Sequence, residues 1–208
     1  LGQNFLIDKN ILEIISNAVI INKTNDILEI GAGTGNLTDY LLKRKPNKIS
    51  LIEKDKNLTT ILENKFGKKV NIYTEDFLNF SDIKIFNKNL IIFGNLPYNV
   101  SSQILVKLII NKENLKFKNM VFMFQKELAD RILSDQNSKN YGRISILANW
   151  KYNIKKIIDI SPNSFYPKPK VKSTLLLFSH KQKYFKLKKP ESLEYVTRVF
   201  FNQRRKKI

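Results

Sequence analysis

The chain has 208 residues, no cysteine and a single histidine, which is enough for one good-sized domain or a domain with a small appendage. Without cysteine there are no disulfides, thiolate metal sites or cysteine nucleophiles, and His180 alone builds no histidine metal cluster. Lys and Arg number 37 against 18 Asp and Glu, a net charge of +19, which favours a polyanionic partner bound with an affinity that falls steeply as salt rises. Part of that excess fits the Lys-, Asn- and Ile-rich composition of a biased genome. No run approaches the length of a membrane span and no signal peptide is visible, so a soluble, cytoplasmic protein is expected. The sequence starts at Leu1 inside a motif and stops on Arg204-Arg205-Lys206-Lys207-Ile208 without a helix stop signal, which reads as a fragment.

Along the chain, apolar runs of strand length alternate with helical patterns, the signature of a mostly parallel sheet wrapped by helices on both faces. Asp26–Ile30 reads as the first strand and Leu37–Lys43 as the helix after it. Lys48–Ile52 is a second strand, followed by a helix from Lys56 to Lys65, and Val70–Tyr73 is a third. Leu90–Phe93 is a fourth strand, after which Gly94 is expected to turn the chain sharply. Ser101 can cap a helix carrying Ile104, Leu105, Leu108 and Ile109 on one face. Met120–Phe124 is a fifth strand, with a helix through Leu128, Ile132 and Leu133. Lys155–Ile160 and Ser173–Phe178 look like a closing pair around the proline-rich stretch 161–170, with His180 an exposed strand-end residue. A final helix from about Glu191 carries Leu193, Val196, Val199 and Phe200.

Open α/β sheets bind ligands outside the carboxyl ends of their strands, and the suspicious residues all fall there. Glu29-Ile30-Gly31-Ala32-Gly33-Thr34-Gly35 follows the first strand, with G-x-G-x-G spacing rather than the G-x-G-x-x-G of a dinucleotide site. Glu53 closes the second strand, where a carboxylate can accept both hydroxyls of a ribose, and Asp76 with Phe77 lies just past the third, placed for a cofactor adenine. Three such strand ends in a row fit S-adenosylmethionine better than NAD, and no P-loop is present. Past the fourth strand, Asn95-Leu96-Pro97-Tyr98 reads as a clamp for a flipped-out adenine. An exocyclic amine has two N–H donors, so a side-chain amide oxygen and a backbone carbonyl can accept both, and Tyr98 can stack the base. An ordinary strand-end turn is the plainer reading of those four residues.

Gly31-x-Gly33-x-Gly35, Glu53, Asp76 and Asn95-Leu96-Pro97-Tyr98 together resemble a class I S-adenosylmethionine-dependent adenine-N6 methyltransferase. Gly2–Leu6, Gln125-Lys126-Glu127, Tyr141-Gly142-Arg143, Phe165–Ser173 and the Phe201–Lys206 block narrow the resemblance to the rRNA adenine N6,N6-dimethyltransferases, on their bacterial small-subunit (16S) side. It covers essentially the whole chain. It implies a Rossmann-like catalytic domain over 1–180 with a seven-stranded sheet, and a linker and the start of a small helical C-terminal domain over 181–208. It implies cofactor contacts from Asn4, Leu6, Gly31, Gly33, Glu53, Asp76 and Asn95, and base contacts from Asn95, Leu96, Pro97, Tyr98 and, as a second stacking ring, Phe165. It implies a monomer acting on 16S rRNA of the immature small subunit, with no metal and no membrane. Lys168, Lys170, Lys172 and the Arg204–Lys207 cluster are candidates for phosphate contacts. Phe165 as a packed loop anchor and the lysines as a solvated surface are the plainer readings. The family often has Pro where this chain has Ala32, and its helical C-terminal domain barely begins here. An Erm-type 23S rRNA methyltransferase shares most motifs. A non-catalytic RNA-binding or transcription factor on the same scaffold predicts a damaged cofactor site, yet Gly31, Glu53, Asp76 and Asn95 are all present.

Overall fold

A computed structural model describes residues 3–81, 86, 89–110 and 115–202; Gly2 and the basic cluster Arg204–Lys207 lie outside the described residues. In chain order the elements are β1 (Phe5–Leu6), α1 (Lys9–Ser16), β2 (Asp26–Ile30), α2 (Asn36–Lys43), β3 (Lys48–Glu53), α3 (Lys56–Phe66), β4 (Asn71–Thr74) and β5 (Leu90–Asn95). They continue with α4 (Ser101–Ile110), β6 (Phe117–Gln125), α5 (Lys126–Leu133), α6 (Arg143–Lys151), β7 (Tyr152–Ile160), β8 (Phe165–Tyr166), β9 (Ser173–His180) and α7 (Pro190–Asn202).

Seven strands form one sheet in the order β4-β3-β2-β5-β6-β9-β7, parallel except that β9 runs antiparallel to both of its neighbours. Both faces of the central strands are covered, which is why β5 opens on the unbroken apolar run Leu90–Phe93 and β2 is apolar at Ile27, Leu28 and Ile30. Leu28, Ile30, Leu90 and Ile92 point to a core shared with α4, α5 and α6. Their neighbours Ile27, Ile91 and Phe93 point to a second core shared with α1, α2 and α3. Among the described residues no helix is long and apolar enough to cross a membrane.

The structure alters several sequence expectations. Strand β5 runs through Gly94 to Asn95 instead of turning at Gly94, and Gly94 pairs with Ile30 and Phe122. The glycine is needed for space: a Cβ there would lie 2.7 Å from Leu96 Cδ2 and 3.1 Å from the Phe122 ring. Strands β6 and β7 start earlier than the apolar runs suggest, because exposed Lys118 in β6 and exposed Asn153 in the edge strand β7 interrupt the apolar pattern. Helices α1 and α6 have no counterpart in the reading of the sequence. Asp8 caps α1 by accepting from Asn10 and Ile11 N–H, at 3.0 and 3.3 Å. At the start of α6 the Ser145 hydroxyl accepts the Gly142 N–H at 3.1 Å and donates to Arg131 O at 2.6 Å. His180 stands at the strand end as expected, yet its ring centroid is 5.0 Å from that of Phe117 and 4.9 Å from that of Tyr152, and burial lowers its pKa.

Candidate active site

The strand order reverses between β2 and β5, and the cleft opens at their carboxyl ends, where a doubly wound sheet takes its ligands. The turn after β2 carries Gly31, Gly33 and Gly35 at φ of 72°, 58° and 74°, values that side-chain-bearing residues adopt only with strain. Gly35 leads into α2, while Gly33 N–H donates to Glu53 Oε2 at 3.0 Å. Glu53 Oε1 accepts Asp55 N–H at 3.1 Å, so two backbone amides aim this buried carboxylate at the cleft. Each oxygen keeps a lone pair for a further donor. Asp76 lines the same cleft just past β4; its Oδ1 accepts Leu78 N–H at 2.9 Å and its Oδ2 lies 3.9 Å from Lys54 Nζ.

Across the reversal point the turn meets the Asn95–Tyr98 loop. A Cβ added at Gly31 would stand 3.7 Å from Asn95 O and 3.8 Å from Pro97 Cδ. Asn95 Nδ2 donates to Asn4 O at 3.3 Å, which leaves Oδ1 as the acceptor end of the amide. Pro97 O accepts from Val100 N–H and Ser101 N–H at 3.1 and 3.0 Å, and Tyr98 O accepts from the Ser101 hydroxyl at 3.1 Å. Both carbonyls are therefore committed to the start of α4. The Leu96 side chain is 1% exposed and packs with Ile30 and Ile104. Tyr98 lines the cleft with its hydroxyl hydrogen-bonded to that of Ser173 at 2.8 Å.

The N-terminal segment straps over this cleft. Strand β1 pairs antiparallel with β8, Phe5 opposite Tyr166 and Leu6 opposite Phe165. Asn36 Nδ2 holds Leu6 O at 2.8 Å, and the Ser164 hydroxyl bonds Asp8 Oδ2 at 3.0 Å. The Phe5 ring covers the glycine turn, 3.0 Å from where a Cβ on Gly33 would sit. Asn4 and Leu6 thus reach the cleft wall as expected. Phe165 does not: it is 3% exposed, packs in the core with Leu6 and Leu12, and is absent from the cleft lining. The packed-anchor reading describes it, and the exposed aromatic there is Tyr166. Lys168, Lys170 and Lys172 are exposed on the loop that follows.

Among the cleft residues to which the sequence assigns no role, Glu29 stands out. Glu29, on β2, is 2% exposed, reaches the cleft, and accepts the Thr38 hydroxyl at 2.7 Å. Burial pushes its pKa up to about 8, against the lowering effect of the Thr38 hydrogen bond. An acidic residue in the middle of an otherwise apolar strand, just ahead of a glycine turn, is the signal that marks it.

The family model for ribosomal RNA adenine dimethylase matches residues 1–208. This chain belongs to that family. It is 53% identical over 210 residues to the ribosomal RNA small subunit methyltransferase A of Pelagibacter ubique (strain HTCC1062), covering all of this chain and 79% of the relative. A dimethyladenosine transferase from Plasmodium falciparum superposes with a TM-score of 0.79 at 29% identity, over 98% of this chain and 73% of that one. The 23S rRNA methyltransferase ErmE superposes with a TM-score of 0.78 over 96% of this chain and 79% of its own, at 20% identity, a likeness of fold. The chain has the class I methyltransferase fold.

Proposed function

We propose that this chain dimethylates the N6 amine of adenosines in 16S rRNA of the immature small subunit, with S-adenosylmethionine as methyl donor. The observation that carries the reading is the closeness of the glycine turn to the Asn95–Tyr98 loop: a carbon added at Gly31 would already stand in van der Waals contact with Asn95 O and Pro97 Cδ. When bound, the donor supplies an electrophilic methyl group on a sulfonium. Its ribose suits the backbone-aimed carboxylate of Glu53, its adenine suits Asp76, and Gly31 and Gly33 offer close backbone approach under the Asn4–Leu6 strap.

On the acceptor side the catalytic problem is the N6 lone pair, which is delocalised into the base. Two N–H bonds, one to Asn95 Oδ1 and one to a loop carbonyl, favour a pyramidal nitrogen with its lone pair aimed across the gap. Pro97 O and Tyr98 O already serve α4, so Leu96 O is the second acceptor. No strong base is required, because the proton leaves after the methyl has made the amine acidic. Alignment in a water-poor cleft supplies the rate, an effect worth several kcal/mol in general, ~7–11 at its upper range. Tyr98 stacks the base, whose unstacking costs a few kcal/mol. After the first transfer one N–H remains, and one of the two acceptors is enough to hold it.

Residues 1–180 are the catalytic unit. Residues 181–208 are a linker and the first helix of a helical domain, a reading supported by the outward-facing Val196, Val199 and Phe200 of α7. The acting unit is a cytoplasmic monomer, and the small-subunit name of the Pelagibacter relative supports 16S over 23S rRNA as its target. The test is to supply methyl-labelled S-adenosylmethionine with purified immature 30S particles and, separately, with 23S rRNA. Label entering the 30S particles alone is expected; label entering 23S rRNA alone would replace the reading with the Erm-type one.

A further inference from the structure

Helix α4 has two ends with different jobs. Its first residues grip the acceptor loop through Pro97 O and the Ser101–Tyr98 bond. Its last turn carries Lys107, a residue that plays no part in the mechanism above. The Lys107 Nζ donates to three backbone carbonyls, Phe77 O at 3.1 Å, Leu78 O at 3.0 Å and Phe80 O at 2.7 Å. It also stands 5.4 Å from the centroid of the Phe77 ring. These carbonyls end the tight turn that starts at Asp76, whose own carbonyl accepts Asn79 and Phe80 N–H at 2.9 and 3.1 Å.

The end of a one-turn segment leaves carbonyls without helical donors; here Phe77 O takes the Phe80 N–H at 3.3 Å, and an ammonium with three N–H groups reaches it together with Leu78 O and Phe80 O. A cation is also the favourable charge at that end of a helical turn. The same turn fixes the Asp76 side chain, through Leu78 N–H to Oδ1, and presents both Asp76 and Phe77 to the cleft. A single rigid helix thus spans the acceptor loop at one end and the far wall of the cofactor cleft at the other.

We propose that Lys107 is a positioning residue for the methyl donor: it pins the Asp76–Phe80 turn to α4, so that the wall facing the cofactor adenine keeps a fixed distance from the loop holding the target base. The inference rests on the assignment of Asp76 to the cofactor adenine. Lys107 acts through Asp76 and Phe77, without touching substrate itself. Loss of the ammonium leaves the turn hydrogen-bonded at its start and loose at its end, so affinity at the adenine end falls while the acceptor loop, held from the other end of α4, keeps its shape.

The experiment measures S-adenosylhomocysteine binding by calorimetry and steady-state methylation of small-subunit rRNA for the full chain and for Lys107→Met, Lys107→Arg, Asp76→Asn and the double variant Asp76→Asn/Lys107→Met. Lys107→Met is expected to weaken S-adenosylhomocysteine and raise KM for S-adenosylmethionine about tenfold, with kcat and KM for RNA within about threefold. Lys107→Arg should recover most of the affinity, and the double variant should lose clearly less than the product of the two single losses. Unchanged affinity in folded Lys107→Met, a fully multiplicative double variant, or an equal fall in every kinetic constant would overturn the proposal. If Lys107→Met does not fold, Lys107→Arg carries the test: a planar guanidinium meets three converging carbonyls less well, so a two- to threefold loss confined to the cofactor is expected, and no loss overturns it. Asp76→Asn separates the two ideas, since unchanged affinity in that variant defeats the adenine assignment itself.

Discussion

Asn95 is held in place before any substrate arrives, by donation from its amide nitrogen to the Asn4 carbonyl. That bond leaves the oxygen end of the amide for a donor, and in the proposed mechanism the residue orients the target amine rather than carrying charge. Asn95→Ala is expected to lower turnover on rRNA by at least a thousandfold, while calorimetry finds cofactor affinity within about tenfold of wild type; near-normal turnover would remove Asn95 from the orienting role. Glu29 gives a pH dependence of stability with a definite sign. Its carboxyl is raised from the ordinary 4.5 to about 8 by burial, so the stability it contributes is fully present below pH 4.5 and is lost as pH rises toward 8, at about 1.4 kcal/mol per pH unit at most. Glu29→Gln removes that slope. Urea unfolding of the ligand-free protein should find the variant gaining on wild type between pH 5 and 8 and not below 4.5. A parallel pH dependence in both proteins would contradict the assignment.

At the scale of elements, the strap formed by β1 and β8 decides what Phe165 does. A two-residue strand pair sets Phe165 opposite Leu6, in the core and outside the cleft lining, so Phe165 is expected to act on activity only through the strap. Phe165→Leu, which keeps the site filled, is expected to leave kcat within about threefold while lowering stability by about 1–2 kcal/mol; a hundredfold fall in kcat with intact stability would show the ring at the base instead. This pair also marks where the sequence stops being informative. The central strands β2, β3 and β5 are legible because burial on both faces leaves them mostly apolar, and Gly31, Glu53 and Asn95 stand out at the ends of those strands, as Asp76 does just past β4. Strands β1 and β8 are too short to carry a periodic signal and exist through each other, with Phe5 paired to Tyr166 across the length of the domain's sequence. Helix α6 was hidden by its mixed composition: Ser145 and Asn149 are spent on hydrogen bonds to backbone carbonyls, and a glycine rather than a polar side chain precedes it. Gly94 misled in the other direction, since a glycine in a strand marks close approach as readily as a turn.

Over the whole molecule, the cofactor cleft and the basic surface are separable. The charge of +19 acts on RNA at a distance, whereas the cleft is lined by carboxylates, amides and backbone. RNA affinity is expected to fall with salt along a negative log–log slope, and replacing exposed Lys170 by Ala should shallow it by about 0.7–0.9 for one lost phosphate contact. A slope near zero would contradict extensive phosphate contact. Turn, carboxylates and acceptor loop together are expected to place two methyl groups on one adenine nitrogen of the small-subunit rRNA. Mass spectrometry of nucleosides from immature 16S rRNA, after incubation with the protein and S-adenosylmethionine, tests it most directly. N6,N6-dimethyladenosine is expected, formed by the wild-type chain and lost with Asn95→Ala; a product methylated at another atom, or no methylated adenosine in 16S rRNA, would overturn the assignment.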